Sequence, residues 1–166
     1  DFTKAIEINP GDSRAYYNRG ISKNDLKDYY GAISDYSKAI EINPQYKKAY
    51  HNRGVAKEML KNYKGALKDY EKATSIDPNY YLAWLGIGNM KGNLEDYYGA
   101  ISVYNKAIKI NPNHADVYFN LGWVKSKIKD NYGAISDFTK AIEIEPNDQS
   151  SYFYRGFAKK TLGDIK

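Results

Sequence analysis

The stretch Asp28-Tyr29-Tyr30-Gly31-Ala32-Ile33-Ser34-Asp35-Tyr36-Ser37-Lys38-Ala39-Ile40-Glu41-Ile42-Asn43-Pro44 decides the fold. Ala32, Ile33, Tyr36, Ala39 and Ile40 recur at the spacing of one helix face. Asp28 stands where an N-cap would accept from the first free amides. The helix should end at Asn43, because the residue before a proline is pushed out of the α region. The same cap recurs as Asn62, Asp96, Asp130 and Asp164. Working back, residues 13–26 read as an earlier helix, capped by Asp12 or Ser13. It is expected to turn Tyr16, Gly20 and Leu26 toward its partner. The small residues Gly20 and Ala32 let the two helices approach closely, as an antiparallel hairpin requires.

Everything in this unit repeats. The five prolines are Pro10, Pro44, Pro78, Pro112 and Pro146, each 34 residues after the last. Gly20, Gly54, Gly88, Gly122 and Gly156 keep that period, as do Gly31, Gly65, Gly99 and Gly133 and the row Ala32, Ala66, Ala100, Ala134. A fixed period without insertions is the mark of a repeat array. The expected organisation is the tail of a repeat at 1–12, whole repeats at 13–46, 47–80, 81–114 and 115–148, and a further first helix at 149–166, all in one continuous domain. Neither helix of a pair buries its apolar stripe alone, so each repeat must stack on the next. The expectation is an all-α solenoid.

Composition fits an ordered chain: 42% hydrophobic and 27% charged residues in 166. The absence of cysteine excludes disulfides and thiolate chemistry. No stretch approaches the roughly 18 apolar residues that span a membrane. The net charge of +5 comes from scattered lysines with no basic run, which disfavours nucleic acid as the partner. The opening Asp1-Phe2-Thr3-Lys4 has no leader character, so the chain reads as a piece of a longer protein and its compartment is not legible.

Tyr-x-x-x-Gly in the first helix, Ala-x-x-x-Tyr-x-x-Ala in the second and a closing proline within 34 residues resemble the tetratricopeptide repeat. Trp84-Leu85-Gly86-Ile87-Gly88 carries the tryptophan that the family favours, where the other repeats have Tyr16, Tyr50, Tyr118 and Tyr152. The resemblance implies a right-handed superhelix whose first helices line a concave groove. It also implies a non-enzymatic scaffold that holds a peptide or helical segment of a protein partner.

The chain departs from the family at Arg19, Arg53 and Arg155 and in the row Lys23, Lys57, Lys91, Lys125, Lys159. Asp1, Asp35 and Asp137 precede the three arginines, while Val103 precedes Leu121. This pattern suggests ion pairs between repeats, Asp35 with Arg53 for example. Pairing within a repeat, Arg19 with Asp35 and Arg53 with Asp69, is the rival assignment.

Helical phase with the family's geometry places five rows on the concave wall. They hold Tyr17, His51, Leu85, Phe119 and Phe153; Asn18, Asn52, Gly86, Asn120 and Tyr154; and Ile21, Val55, Asn89, Trp123 and Phe157. Flanking rows add Leu82 and a near balance of charge, Arg14, Lys48 and Lys160 against Asp116 and Glu58. The basic excess is expected on the other side, in the row Lys4, Lys38, Lys72, Lys106, Lys140. The matching core positions are expected to be filled by Tyr118, Leu121, Tyr152 and Ala158. The aromatics Phe119, Trp123, Phe153, Tyr154 and Phe157 then form an apolar patch suited to binding. Asn18, Asn52 and Asn120 resemble the ladders that hold peptide backbone in this family, since a carboxamide pairs with both N–H and C=O. Gly86 and Gly92, with Gly88, are expected to leave a notch for a bulky ligand side chain.

No catalytic set, metal cluster or cofactor motif is present. His51 and His114 lie far apart, and Gly86-Ile87-Gly88 sits inside a helix, not after a strand. The rival functions are a self-associating structural module and single-stranded nucleic-acid binding. The acidic-tail carboxylate clamp of chaperone-binding relatives is not expected, because Leu85, Ser150 and Tyr154 stand where its basic groups belong. Phe2, Ala5 and Ile6 at one end and Tyr152, Gly156 and Leu162 at the other suggest head-to-tail contact between copies. In that reading Lys166 and Asp1 nearly complete one repeat.

Overall fold

The computed structural model describes residues 1–163, so the expected cap Asp164 and the register of Lys166 lie outside the described residues. Among the described residues there are ten α-helices and no strand: α1 Phe2–Ile8, α2 Ser13–Asp25, α3 Tyr29–Ile42, α4 Lys47–Met59, α5 Tyr63–Ile76, α6 Tyr81–Asn93, α7 Tyr97–Ile110, α8 Ala115–Lys127, α9 Asn131–Ile144 and α10 Gln149–Thr161. The even-numbered helices are the first helices of the pairs. Contacts gather the chain into two compact units, Asp1–Gly86 and Ile87–Lys166, with the boundary inside α6.

The second helices start as the capping chemistry dictates. Asp28 Oδ1 accepts from the Gly31 N–H at 2.9 Å, and Asn62, Asp96 and Asp130 do the same for Gly65, Gly99 and Gly133. A Cβ on any of these glycines would run into the capping side chain. Asp12 caps α2, and Asn43 ends α3 in an extended conformation, φ −127°.

Between the helices of a pair the chain turns through a left-handed residue. Lys27, Lys61, Glu95 and Lys129 have φ between 58° and 64°. The turn closes with Asp28 N–H donating to Lys23 O at 2.8 Å, a bond repeated by Asn62, Asp96 and Asp130. Gly163 occupies the same row at φ 78°. The preceding residue does not point inward: Leu26, expected to face its partner, is 81% exposed because it is the C-cap at the rim of this turn.

In the first unit Tyr36 is buried against Gly20, packed with Ala32 of its own helix and with Ala56 of α4. Tyr70 is buried between Gly54 of α4 and Gly86 of α6, where a Cβ would lie 2.8 and 2.7 Å from its ring. The expected notch at Gly86 is therefore filled from inside. In the second unit Phe138 takes the same place against Gly122, with Ala134 and Ala158 around it. Rings buried this completely stabilise by about 3 kcal/mol each. Leu121 and Ala158 are buried as expected. Tyr152 is instead 46% exposed, its ring lying under the Arg155 guanidinium.

The ion pairs run within repeats. Arg19 Nε and Nη2 donate to Asp35 Oδ2 and Oδ1 at 2.9 and 2.7 Å, and Arg53 grips Asp69 in the same way. Lys23 and Lys57 add a second cation to each carboxylate, at 2.8 and 2.7 Å. This overturns the pairing of Asp35 with Arg53, because the aspartate of α3 faces α2 of its own hairpin. The contact to the earlier helix is made to a hydroxyl: Arg53 Nη1 donates to Ser37 Oγ at 2.9 Å, Arg19 to Thr3 and Arg155 to Thr139. On the other side of the second helices, exposed Lys4 and Lys140 and half-buried Lys38 pair with Glu7, Glu143 and Glu41.

Candidate functional site

The candidate residues of the first unit sit on α2, α4 and the first half of α6, and they make two aromatic clusters. Tyr17 lies 4.8 Å from Tyr46 and 5.9 Å from Tyr36, centroid to centroid. Asn52 Nδ2 donates to the Tyr17 hydroxyl at 3.1 Å, so one rung of the expected ladder is tied to its neighbour. His51 lies between Tyr70 and Tyr80, each 5.4 Å away. Burial pushes its pKa down to about 4, so the imidazole is neutral at ordinary pH. Its Nδ1 is buried with no partner among the described residues. Asn18, Leu82 and Leu85 are half-buried.

Glu58 joins this face from α4 and accepts from the Tyr70 hydroxyl at 2.9 Å. Burial raises its pKa, partly offset by that bond. Sequence reasoning placed Glu58 on a flanking row but missed the tyrosine. It also missed Tyr46 and Tyr80, which stand just before α4 and α6 and fall in one 34-residue row.

In the second unit, Asn120 Nδ2 donates to Asn89 Oδ1 at 3.2 Å, and the Tyr104 hydroxyl donates to the same oxygen at 2.8 Å. Asn89 is thus joined to the asparagine row by a hydrogen bond. Phe119 and Trp123 are half-buried and pack against the Ala134–Phe138–Ala158 core, together with Tyr154. Phe119 is 5.6 Å from Tyr154, and the Lys127 ammonium lies 4.8 Å above the Trp123 ring. Gly92 leaves space beside Trp123, for a Cβ there would meet Trp123 and Val124 only at 3.8 and 3.6 Å. Phe153 meets the Tyr154 ring edge-on at 5.5 Å, and Phe153 and Phe157 are 69% and 62% exposed. Their equivalents Tyr17 and Ile21 tuck under Tyr36 of the following helix.

Among the described residues no group of His, Cys, Asp and Glu is placed to hold a metal, and no helix is long and apolar enough to cross a membrane. What both faces offer is aromatic area beside carboxamides, with little net charge.

Sequence models of the tetratricopeptide repeat match residues 13–46, 48–80 and 115–148, and a further TPR-repeat model matches 93–128. Together they cover well over half of the chain. The chain belongs to the tetratricopeptide repeat family. TPR proteins are all-helical solenoids and non-catalytic interaction scaffolds, and this chain shares that architecture. Among solved structures it is similar to YrrB, described as a TPR protein with an unusual peptide-binding site. That match has a TM-score of 0.80 at 24% identity and covers 99% of this chain and 85% of that one. It is also similar to MamA, with a TM-score of 0.81 at 25% identity over 87% and 85% of the two chains. A MamA segment from Desulfovibrio magneticus RS-1 matches with a TM-score of 0.84 at 18% identity, over 92% and 86%. No curated protein matches the sequence.

Proposed function

We propose that this TPR chain is a scaffold whose first-helix faces hold an extended or helical segment of a protein partner. The observation that carries the reading is the pairing of aromatic area with carboxamides on those faces. In the second unit it is Phe119, Trp123 and Tyr154 with Asn89 and Asn120, extended by Phe153 and Phe157. In the first unit it is Tyr17 and His51 with Asn18 and Asn52, flanked by Leu82 and Leu85. Asn120 donates one amide hydrogen to Asn89, and Asn52, which also hydrogen-bonds to Tyr36, donates one to Tyr17. A carboxamide has a second donor and an acceptor, which suits recognition of peptide backbone whatever its sequence. The aromatics supply rigid apolar area, with few torsions to freeze on binding. YrrB, of the same fold, has a peptide-binding site.

The test is selection of peptides from a random library on the chain, followed by calorimetry. Trp123→Ala should weaken a selected peptide by about 2 kcal/mol or more, on the scale of interface hot spots. The pair Asn52→Ala and Asn120→Ala should weaken peptides of unrelated sequence to a similar degree. Peptides whose affinity ignores all three substitutions would show that the partner binds elsewhere.

A further inference from the structure

Glu58 carries its charge where the fold opposes it. It lies in the last turn of α4, at the negative end of the helix dipole, beside Lys57. It is half-buried, and burial disfavours the charged form of a carboxylate. Its Oε2 accepts from the Tyr70 hydroxyl, but no lysine or arginine pairs with it among the described residues. Its Oε1 has no partner among those residues either.

The repeat does not call for a carboxylate here. The residues in the same register are Asn24, Gly92, Ser126 and Lys160. Nor does a buried tyrosine need one. The hydroxyls of Tyr36 and Tyr104 are met by the carboxamides of Asn52 and Asn89. A neutral amide at residue 58 would serve Tyr70 without taking a charge out of water.

The surroundings of Glu58 suit one kind of group. His51, Val55 and Glu58 follow one another along a face of α4, about a turn apart. Tyr70 backs this strip, its ring 5.4 Å from His51 and its hydroxyl on Glu58. Val55 is half-buried and Met59, a turn beyond it, is 56% exposed, so apolar surface flanks the carboxylate. Asn52 stands six residues back, about 9 Å along the helix axis.

We propose that Glu58 receives a basic side chain of the bound segment, a lysine or arginine whose charged head meets Oε1 while its stem lies on Val55 and Met59. The inference rests on the peptide-binding reading of the first-helix faces and adds to it the chemistry of the segment. A cation offsets the burial of the carboxylate, and a bond between charged partners is stronger than a neutral one. The aliphatic stem of either residue covers apolar surface beneath its charge. The site suits one cation rather than a basic run, because the chain itself carries a net charge of +5. The segment is therefore mostly uncharged, with one basic residue close to the backbone held at Asn52.

The test uses peptides selected from a random library on the chain, each remade with norleucine in place of its lysine or arginine. Glu58→Gln keeps an acceptor for Tyr70 and removes the charge. This variant should unfold in urea no earlier than the wild type, since the charge serves the ligand and not the fold. It should weaken the basic peptides by about fivefold or more and leave the norleucine versions unchanged. Glu58→Lys should bind the basic peptides more weakly still and favour versions with glutamate at the same place. Earlier unfolding of Glu58→Gln would make the carboxylate structural and overturn the proposal, as would selected peptides with no recurring basic residue. Basic peptides that bind Glu58→Gln as tightly as the wild type would overturn it too. If those peptides still lose affinity on Asn52→Ala or Trp123→Ala, the peptide-binding reading stands without it; if they ignore these substitutions as well, both fall.

Discussion

Arg53 holds Asp69 by two parallel hydrogen bonds, Nε to Oδ2 at 2.9 Å and Nη2 to Oδ1 at 2.6 Å, while its remaining nitrogen reaches back to Ser37. One side chain thus closes its own hairpin and ties it to the helix before. The carboxylate is nearly inaccessible, so removing the arginine leaves a buried charge with Lys57 alone.

Arg53→Ala should therefore destabilise the chain by about 3 kcal/mol in urea denaturation, near the cost of breaking a buried pair. A double-mutant cycle locates the partner. Arg53 with Asp69 should couple by about 1 kcal/mol or more, and Arg53 with Asp35 by much less. Strong coupling to Asp35 would restore the pairing between repeats that this geometry replaces.

The aspartate row splits in the second unit, where Leu121 stands in the place of an arginine. Burial pushes Asp35 up, but Arg19 and Lys23 outweigh it and hold its pKa below the ordinary 3.8. Among the described residues Lys125 is the cation paired with Asp137, and burial outweighs it, so the pKa rises. The signs are opposite. The contribution of Asp35 is present above pH 3.8 and is lost as the pH falls through its lowered midpoint. Asp137 costs stability as the pH climbs from 3.8 through its raised midpoint. At neutral pH, Asp35→Asn should destabilise by about 1 kcal/mol or more while Asp137→Asn is neutral or stabilising. Carboxyl NMR titration should place the two midpoints on either side of 3.8; coincident midpoints would refute the account.

His51 sets a second pH window. Its folded pKa of about 4 lies below the ordinary 6.5, so the unfolded chain binds the proton better between these values. Stability should be full above pH 6.5 and fall by up to about 3 kcal/mol as the pH drops toward 4. His51→Phe keeps a ring between Tyr70 and Tyr80 and should remove most of that slope. Urea denaturation from pH 7 to 4.5 checks it, and an unchanged slope in the variant would place the titration elsewhere.

The left-handed turns carry strain that glycine relieves. Lys27→Gly, Lys61→Gly and Lys129→Gly should each stabilise by about 1 kcal/mol, because a Cβ is crowded at φ near 60°. Lys61→Ala keeps the Cβ and should give no such gain. Equal melting of the glycine and alanine variants would show that the turn is unstrained.

The hairpins were legible in the sequence because their devices are local and repeat in phase. Asp28 with Gly31, Asn43 before Pro44 and the glycine row each act within one or two helices. The strained turns were less visible, since Lys27, Lys61 and Lys129 look like ordinary surface lysines and only Gly163 in their row hints at the conformation. The direction of the arginine pairs was open because Asp35 is 16 residues from Arg19 and 18 from Arg53, and sequence distance does not choose between them. Gly86 misled for a related reason. A glycine marks a space, and only the packing shows that Tyr70 already fills it.

The central claim is that the first-helix faces do the binding. Backbone and side-chain amide NMR shifts of the labelled chain, titrated with a library-selected peptide, test it directly. The account predicts shifts concentrated at the Asn52 and Asn120 carboxamides, the Trp123 indole and the amides around Tyr17 and Phe119, with Lys38, Lys72 and Lys140 unmoved. Shifts centred on those second-helix lysines, with the asparagines and Trp123 unchanged at saturation, would contradict it.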